Sequence, residues 1–377
     1  MHPLHPIYAA ALGPPSYHDR MPKAPTVYDV AERAAVSIAT VSRVLRNPDA
    51  VKPDTRERVL DAVRFLGYVP SASARGLASQ RTNVIGLFFP SHDDHNISTA
   101  EPLLAGAEVP VVNDGDDDAQ IENLYFDEVL RGAEIEAWRR GFALVVAAGR
   151  GASRESLVND LAGRVDGLAV LSRTVSDELL AHVARRIPVV VLAGAAPGDA
   201  FDHVSANNTP GMRAMASHVF STHQPEQVVY LAGPIDSPDD AERFIGFQQA
   251  MKQHAVAKKA LIRKRGDFTR ESGARAAAAL ELTQKTAIIC ANDQMALGVL
   301  DVLEKRGIEV PRHVLVTGFD GIAAGRHSRP TLTTVHQPMV ELGRAAIHAI
   351  TRRLDDPDLP QQNLTLPVRV ILRESCP

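Results

Sequence analysis

The chain has 377 residues, 45% of them hydrophobic, and a formal net charge of −4, which is enough material for a small domain and two globular lobes. Its two cysteines, Cys290 and Cys376, exclude a disulfide-stapled scaffold and are typical of a reducing compartment. No apolar run of about 18 residues is present, so we predict no membrane-spanning segment and no membrane partner.

Residues 1–22 predict a disordered N-terminal extension. They are rich in proline and histidine, and they lack both the charged start and the apolar run of a secretion signal. We therefore expect no folded element before residue 23.

A helix-turn-helix is predicted within residues 23–70. Apolar residues recur at i, i+3, i+4 and i+7 from Val27 to Ala34, which is the stripe of a short amphipathic helix. After a break, Ser37 stands where an N-cap belongs, and a second short helix follows. A third helix, with proline in its first turn, is predicted to end at Gly67. Because three such helices follow one another so closely, a DNA-binding head is favoured over a helical hairpin buried in a core.

The second helix of such a motif enters the major groove and places its N-terminal residues against base edges. Arg43 can donate two hydrogen bonds to guanine, whereas Ile38 and Ala39 can contact only apolar features such as a thymine methyl group. Thr40 and Ser42 are better placed to contact phosphate. The predicted DNA contacts of the head are Tyr28, Ser37, Ile38, Ala39, Thr40, Ser42, Arg43 and Asn47.

Residues 71–81 predict a hinge helix or linker that is too short and too poor in large apolar residues to fold alone. Such a segment can fold on DNA, where Leu77 would act as an apolar wedge in the minor groove. Arg75 and Leu77 complete the predicted DNA contacts. The segment from Lys23 to Arg81 carries ten Lys and Arg against six Asp and Glu. This surplus suits a phosphate backbone, although a solvated charged face would show the same count.

From residue 82 onward, short apolar runs alternate with helical patterns. Continuous apolar strands separated by helices indicate parallel β-sheet that is covered on both faces. The length of this region and a break near residues 205–210 indicate two doubly wound α/β lobes behind the all-α head. In such sheets ligands bind beyond the carboxyl ends of the strands, so that edge becomes a cleft between the two lobes.

Dense motifs in both parts of the chain resemble those of one known family. They include Thr26-Val-Tyr-Asp-Val-Ala31, Thr40-Val-Ser-Arg-Val-Leu45, Gly67-Tyr-Val-Pro70, Ala74-Arg-Gly-Leu77, Leu231-Ala-Gly-Pro234, Ala291-Asn-Asp293 and Leu332-Thr-Thr-Val-His-Gln337. On these motifs the chain is similar to the LacI/GalR family of bacterial transcriptional regulators. It departs from the family at Ala35, where a glycine is usual. The resemblance also makes Met21 a candidate start beside Met1.

The resemblance implies a homodimer on double-stranded DNA with a palindromic operator, with one recognition helix on each half-site. It also implies that the paired hinge helices insert their leucines into a central CG base step of the operator. It implies that residues 82–377 form an effector-binding and dimerisation domain that resembles periplasmic sugar-binding proteins. Its first lobe is expected at about 82–205 and 338–358, and its second lobe at about 206–337 and 362–374.

The family's effector contacts, carried over by motif, fall on polar and aromatic residues. These are Arg243, Phe268, Asn292, Asp320 and Gln337, with Tyr125 or Phe126 on the other lobe. Such side chains suit a polyol, because arginine and amides donate to hydroxyls, a carboxylate accepts from them, and a phenyl ring stacks on a C–H face. Taken singly, an aspartate is more often a helix cap and a phenylalanine more often part of a core. Sugars, sugar phosphates and nucleosides or purines all stay open as ligands.

Residues 91–121 form an insertion relative to the family, whose members pass from the first strand into a short loop. Loops of this length in compact domains are usually functional or disordered, and this one follows the carboxyl end of a strand. We therefore hypothesise that it lids the pocket or extends the dimer surface. Its His92–His95 cluster contains metal-binding side chains, but a solvated polar loop is favoured because the spacing is not helical. We predict no metal site and no cofactor.

Enzyme motifs are missing from the sequence. The glycine-rich residues 149–154 lack the third glycine of a dinucleotide loop, and neither a Walker lysine motif nor a nucleophile elbow is present. We therefore predict a cytoplasmic, nucleoid-associated transcriptional repressor, not an enzyme, whose operator binding responds to a small sugar-like ligand. The alternatives are a transcriptional activator, a corepressor-dependent regulator of the purine type, and a carbohydrate-binding protein without DNA function. Because no heptad repeat follows the last strand, tetramers through a terminal coiled coil are not expected.

Overall fold

The structure is a computed structural model that describes residues 25–69, 81–90, 124–149, 154–172, 174–192, 194, 201–257, 260–283 and 285–377. The extension 1–22, the insertion 91–121 and nearly all of the hinge, with Arg75 and Leu77, lie outside the described residues. The chain forms two compact units, Met1–Thr82 and Asn83–Pro377, which are the head and the body.

The head has the helices that its local sequence predicts. They are α1 (Val27–Ala34), α2 (Ile38–Arg46), a single 3-10 turn (Pro48–Ala50) and α3 (Pro53–Leu66). Thr26 and Asp29 form a capping box at the start of α1. Ser37 Oγ accepts a hydrogen bond from Thr40 N at the start of α2, and Gly67 ends α3 in the left-handed conformation. The predicted helix-turn-helix is confirmed.

A small apolar core holds the three helices of the head together. Its buried residues are Val30, Ala31, Ala34, Val41, Val44, Val59, Ala62 and Tyr68. Because a core of this size provides a narrow stability margin, local backbone strain in the head has a measurable effect.

Ala35 carries such strain in the turn between α1 and α2. Its φ and ψ are both 51°, a conformation that costs an L-residue roughly 1–2 kcal/mol. Because glycine adopts it without a steric penalty, we expect Ala35→Gly to raise the free energy of unfolding of the head by about 1 kcal/mol. Hydrogen exchange of head amides in the full chain measures this change. Ala39→Gly, inside α2, is the contrasting variant and should lower stability; faster exchange in Ala35→Gly would contradict the argument.

The first lobe of the body is built on a parallel sheet whose described strands lie in the order β11-β5-β4-β3-β1-β2. The strands are β1 (Val84–Pro90), β2 (Ala143–Gly149), β3 (Gly167–Leu171), β4 (Val189–Leu192), β5 (Asp202–Ala206) and β11 (Asn363–Leu366). The helices of this lobe are α4 (Leu124–Arg139), α5 (Arg154–Ala162), α6 (Asp177–Ala184) and α12 (Met339–Asp355).

The second lobe has a similar sheet, with described strands in the order β12-β10-β9-β8-β6-β7. The strands are β6 (Gln227–Ala232), β7 (Leu261–Arg265), β8 (Thr286–Cys290), β9 (Val314–Asp320), β10 (Thr333–His336) and β12 (Arg369–Ile371), the last antiparallel to β10. The helices are α7 (Asn208–Thr222), α8 (Pro238–Gln253), α9 (Arg270–Ala278), α10 (Asp293–Lys305) and α11 (Ala324–His327).

Within its described part, the chain passes between the lobes after β5, after β10 and between β11 and β12. Residues 362–374 are predicted in the second lobe, but β11 pairs with β5 of the first sheet. The reason is that a short edge strand with alternating exposure carries no local signal for the sheet it joins.

Two sheets of mainly parallel strands confirm the predicted α/β body. Their central strands are buried on both faces, as the burial of every residue in β8 and β9 shows. Parallel strands bring their carboxyl ends to one edge of each sheet, which is where the candidate site lies. Across the described ranges, the helices are too short or too polar to cross a membrane.

Candidate functional site

The predicted DNA-contact residues lie on the surface of the head. Exposed are Tyr28, Ser37, Ile38, Ala39, Arg43 and Asn47, and half-buried are Thr40 and Ser42. The opposite face of α2 is buried through Val41 and Val44. Ile38 is 40% exposed despite its apolar side chain, so α2 presents an apolar group and a guanidinium to solvent on one face.

Ser37 and Thr40 also hold the start of α2 in place. Ser37 Oγ accepts from Thr40 N at 3.2 Å and lies 2.9 Å from Thr40 Oγ1. The remaining backbone N–H groups at this helix end can bind phosphate, because a helix N-terminus attracts anions. Contact of these residues with DNA stays a prediction.

Arg243 is the centre of a buried polar cluster in the second lobe. It lies on α8 and is 4% exposed. Its Nε donates to Asn208 Oδ1 at 2.9 Å and its Nη1 to Ala291 O at 2.6 Å, while Nη1 lies 3.6 Å from Asp320 Oδ1. The guanidinium carbon is 3.8 Å from the centroid of the Phe319 ring. Protein partners therefore fix the orientation of the arginine.

Gly246, one turn beyond Arg243 on α8, allows that helix to approach α7 closely. A Cβ at this position would lie 2.1 Å from Thr209 O, so a larger residue would push the helices apart. This close packing brings Arg243 of α8 within hydrogen-bonding distance of Asn208 at the start of α7.

Asp320 and Gln337 complete the cluster at the carboxyl ends of β9 and β10. Gln337 Nε2 donates to Asp320 Oδ1 at 2.7 Å. Burial raises the pKa of Asp320, and the positive charge of Arg243 opposes that rise. Asp320 also has a φ of 120°, which side chains rarely tolerate. Backbone strain at a buried ionisable group is typical of a functional site.

Phe268 and Asn292 are joined by a hydrogen bond. Asn292 Nδ2 donates to Phe268 O at 2.9 Å, and Asn292 Oδ1 caps α10 by accepting from Met295 N at 3.0 Å. Phe268 has a φ of 72°, and its ring covers Gly233, where a Cβ would lie 2.3 Å from a ring carbon. Asn292 therefore positions the Phe268 loop, and a contact of either residue with a ligand stays a prediction.

The first lobe contributes Tyr125 and Phe126 from the first turn of α4. The Phe126 ring centroid lies 4.7 Å from that of Phe89 near the end of β1. Burial raises the pKa of Tyr125, and the carboxylates of Asp239 and Asp320 in the second lobe raise it further. Tyr125 is therefore linked electrostatically to carboxyl groups of the second lobe, so predicted site residues of the two lobes influence each other.

The two lobes meet beside this cluster. Gly194, which follows β4 in the first lobe, approaches Pro238 at the start of α8 so closely that a Cβ would lie 2.3 Å from Pro238 Cβ. The next residue along α8 is Asp239, so the contact between the lobes borders the polar cluster. A ligand held there would touch both lobes.

Comparisons with known proteins link both units to one family. Residues 26–71 match bacterial regulatory proteins of the lacI family, and residues 222–376 match the periplasmic binding protein-like domain. The chain is 30% identical over 358 residues to catabolite control protein A of Priestia megaterium, which covers 93% of this chain and 98% of that protein. The chain belongs to the LacI family.

Solved structures of LacI-family regulators resemble the whole chain. A complex of the regulator CelR with cellobiose has a TM-score of 0.63 and 28% identity, covering 93% of this chain and 99% of that chain. The lac repressor dimer bound to operator and the anti-inducer ONPF has a TM-score of 0.74 and 25% identity, covering 94% and 99%. The protein is therefore a LacI-family transcriptional regulator with a DNA-binding head and a ligand-binding body, and it is not an enzyme.

Three residues that the sequence does not predict as effector contacts also belong to the polar cluster around Arg243. Asn208 Nδ2 donates to Asp239 Oδ1 at 2.8 Å and to Glu242 Oε2 at 3.0 Å. Burial raises the pKa of both carboxyl groups. Asp239 lies four residues before Arg243 on the same helix, a spacing that could have drawn attention to it. Asn208, by contrast, lies on another helix, and only the fold brings it to the site.

Asp293, which ends the Ala291-Asn-Asp293 motif, is another buried residue of this region and is not among the predicted effector contacts. Its Oδ2 accepts from Gly321 N at 2.7 Å and from Ile322 N at 2.9 Å, and its Oδ1 accepts from Thr334 Oγ1 at 2.6 Å. It therefore ties the segment that follows β9 to Thr334 of β10, next to Asp320. Burial raises the pKa of Asp293, and the Asp320 charge adds to that rise.

Proposed function

We propose that the protein is a transcriptional repressor whose operator binding is controlled by a neutral, sugar-like ligand held between the two lobes. The observation that carries this proposal is the acceptor-rich surroundings of Arg243. Two of its nitrogen atoms donate to protein oxygens, and the carboxyl groups of Asp239, Glu242 and Asp320 all interact with it electrostatically.

Such a site favours a ligand that brings hydrogen-bond donors. Where these three carboxyl groups are ionised, they would repel a phosphate or carboxylate, and the arginine that could offset this repulsion already donates to protein oxygens. The hydroxyls of a polyol donate to carboxylates, and the Phe126 ring offers a surface for its C–H face. The relative CelR was solved with cellobiose, a ligand of this class.

The DNA target follows from the head. Each head presents one recognition helix, so two copies are needed to read the two half-sites of a palindromic operator. We therefore propose a homodimer, as in the lac repressor dimer bound to its operator. Arg75 and Leu77 of the hinge join the proposed DNA contacts through the family resemblance. Because its proposed target is chromosomal DNA, we propose that the protein is cytoplasmic and associated with the nucleoid.

Ligand control requires unequal affinity for two arrangements of the lobes. Asp320 of the second lobe raises the pKa of Tyr125 in the first lobe, and a ligand that bridges these residues would bind best at one separation of the lobes. A ligand that stabilises the arrangement unfavourable to DNA binding acts as an inducer. One that stabilises the favourable arrangement acts as a corepressor.

Operator binding by the full chain tests the DNA part of the proposal. We expect the protein to bind duplex DNA from its own promoter region, and Arg43→Ala to weaken that binding by about 1–3 kcal/mol through loss of a base contact. Arg64→Ala, an exposed arginine on α3 outside the predicted contacts, is the matched control. A gel-shift titration measures the DNA affinity of the wild type, Arg43→Ala and Arg64→Ala. Equal binding by the wild type and Arg43→Ala would contradict the assignment, and no binding at all would favour a carbohydrate-binding protein without DNA function.

The same DNA complex tests the ligand class. Neutral monosaccharides and disaccharides, their phosphate esters, and purines are added in turn, and a neutral sugar should alter operator affinity and raise the melting temperature of the free protein. Release of DNA identifies an inducer, and tighter binding identifies a corepressor. A response confined to phosphorylated sugars or purines would overturn the ligand class. Transcription of the neighbouring genes with and without the protein separates a repressor from an activator.

A further inference from the structure

Three side chains of metal-binding type gather at the end of α7 that lies away from the effector cluster. One ring nitrogen each of His218 and His223 and the Sγ of Cys376 all lie within 4.8 Å of one another. A fourth donor, Pro377 O, lies 3.2 Å from His218 Nε2 and 2.8 Å from His223 Nε2. We propose that His218, His223 and Cys376 form a binding site for zinc or a similar divalent transition metal, with a backbone or water oxygen as the fourth ligand.

The donor set fits that class of metal. Imidazole nitrogen and thiolate sulfur are the usual ligands of zinc, whereas magnesium and calcium prefer oxygen. In a tetrahedral zinc site, bonds of about 2.0–2.3 Å place neighbouring ligand atoms about 3.5 Å apart. The three donors are already within 4.8 Å of one another, so the longest separation has to shorten by only about 1 Å to reach that geometry.

The same groups also have a stable arrangement without a metal. Each imidazole can donate its Nε2 proton to the Pro377 oxygen, and one such oxygen can accept two hydrogen bonds. Cys376 is fully buried, and burial raises the pKa of its thiol to about 12, so the thiol is neutral in this state. Metal binding replaces the thiol proton, which leaves to solvent as the sulfur–metal bond forms.

The site would join two parts of the second lobe. His218 and His223 lie in the last turn and at the end of α7, while Cys376 follows Ser375, which anchors the tail of the chain. Ser375 Oγ accepts from Thr333 N at 2.8 Å and donates to Val316 O at 2.7 Å. A bound metal would add a link between α7 and this tail, so it should stabilise the folded body.

This site is separate from the effector cluster. Asn208, which bonds to Arg243, stands at the other end of α7, and His218 lies ten residues further along that helix, a rise of about 15 Å. Variants of His218, His223 or Cys376 are therefore expected to leave the predicted effector contacts unchanged.

Cobalt(II) titration of the full-length protein tests the proposal. A cobalt–thiolate bond produces a charge-transfer band in the near ultraviolet, and four-coordinate cobalt has strong visible bands. We expect both to saturate at one equivalent, and zinc to displace the cobalt and raise the melting temperature. Cys376→Ser should remove the charge-transfer band. His218→Gln and His223→Gln, which change half-buried positions, should each weaken binding by at least about tenfold, the lower end of what loss of even an outer-shell partner causes.

Two matched variants separate this site from other histidines and thiols. His182→Ala removes an exposed histidine of α6, and Cys290→Ala removes the other cysteine of the chain, so both should keep the spectrum of the wild type. A wild-type spectrum without the charge-transfer band would overturn the proposal, as would a band that persists in Cys376→Ser. Unchanged affinity in both histidine variants, with their fold checked by circular dichroism, would overturn it as well.

Discussion

Arg243→Met is expected to lower the free energy of unfolding by about 3–5 kcal/mol and to abolish the response to ligand. Methionine retains a similar apolar volume, so the loss would come from the charge and its hydrogen bonds. Asn208 Oδ1 and Ala291 O would each lose a buried donor. Asp320 and Asp239 would lose the positive charge that favours their ionised forms.

The destabilisation by Arg243→Met should increase with pH. Burial raises the native pKa of Asp320 and Asp239, and Arg243 limits that rise, so removing the arginine raises both further. A carboxyl group with a raised native pKa stabilises the protein fully below its unfolded pKa and loses that contribution as the pH rises through the native value. The free energy of unfolding of the variant should therefore be closest to that of the wild type at about pH 5. It should differ most at about pH 8, as measured by urea denaturation.

Arg270→Met is the matched control for Arg243→Met. Arg270 forms two hydrogen bonds of 2.7 Å with Asp301, but its side chain is 55% exposed. Exposed ion pairs contribute at most about 1 kcal/mol, so this variant should remain near wild-type stability. Equal losses in the two variants would show that burial of Arg243 is not the source of its effect.

Asp293→Asn should make the stability of the body less dependent on pH. Burial and the Asp320 charge raise the pKa of Asp293, so the folded protein retains a proton that the unfolded chain has lost. Wild-type stability from this group is therefore lost as the pH rises from the ordinary carboxyl range, near pH 4, toward the raised native value. Asparagine has no proton to release. As the pH rises over this range, the free energy of unfolding of Asp293→Asn should accordingly increase relative to that of the wild type by at least about 1.4 kcal/mol. This is the equivalent of one pKa unit.

Asparagine is a suitable replacement because it retains an oxygen for the N–H groups of Gly321 and Ile322. Urea denaturation at several pH values measures how steeply the free energy of unfolding depends on pH in the wild type and in Asp293→Asn. Asp301→Asn, which removes a partly exposed carboxylate from the same helix, is the control and should leave the slope unchanged. If Asp293→Asn and the wild type have parallel pH profiles, Asp293 does not retain its proton in the folded state.

The head could be predicted almost residue by residue because its determinants are local. The Ser37 cap, the stripe from Val27 to Ala34 and the Gly67 stop each depend on neighbours within about one helical turn. The class of the body was equally accessible, since buried parallel strands have continuous apolar sequences. The family motifs also indicated Arg243 and Asp320, which the structure brings to 3.6 Å from each other.

The sequence by itself determined the class of each unit, the family and the motif-borne candidates for DNA and ligand contacts. Only the tertiary structure decided that β11 joins the first sheet, that Asn208 bridges Arg243 to two half-buried carboxyl groups, and that His218 and His223 meet Cys376. The physical reason is distance along the chain. Periodicity and capping record interactions between near neighbours, whereas these arrangements depend on which sheets and helices pack together after residues far apart in sequence have met.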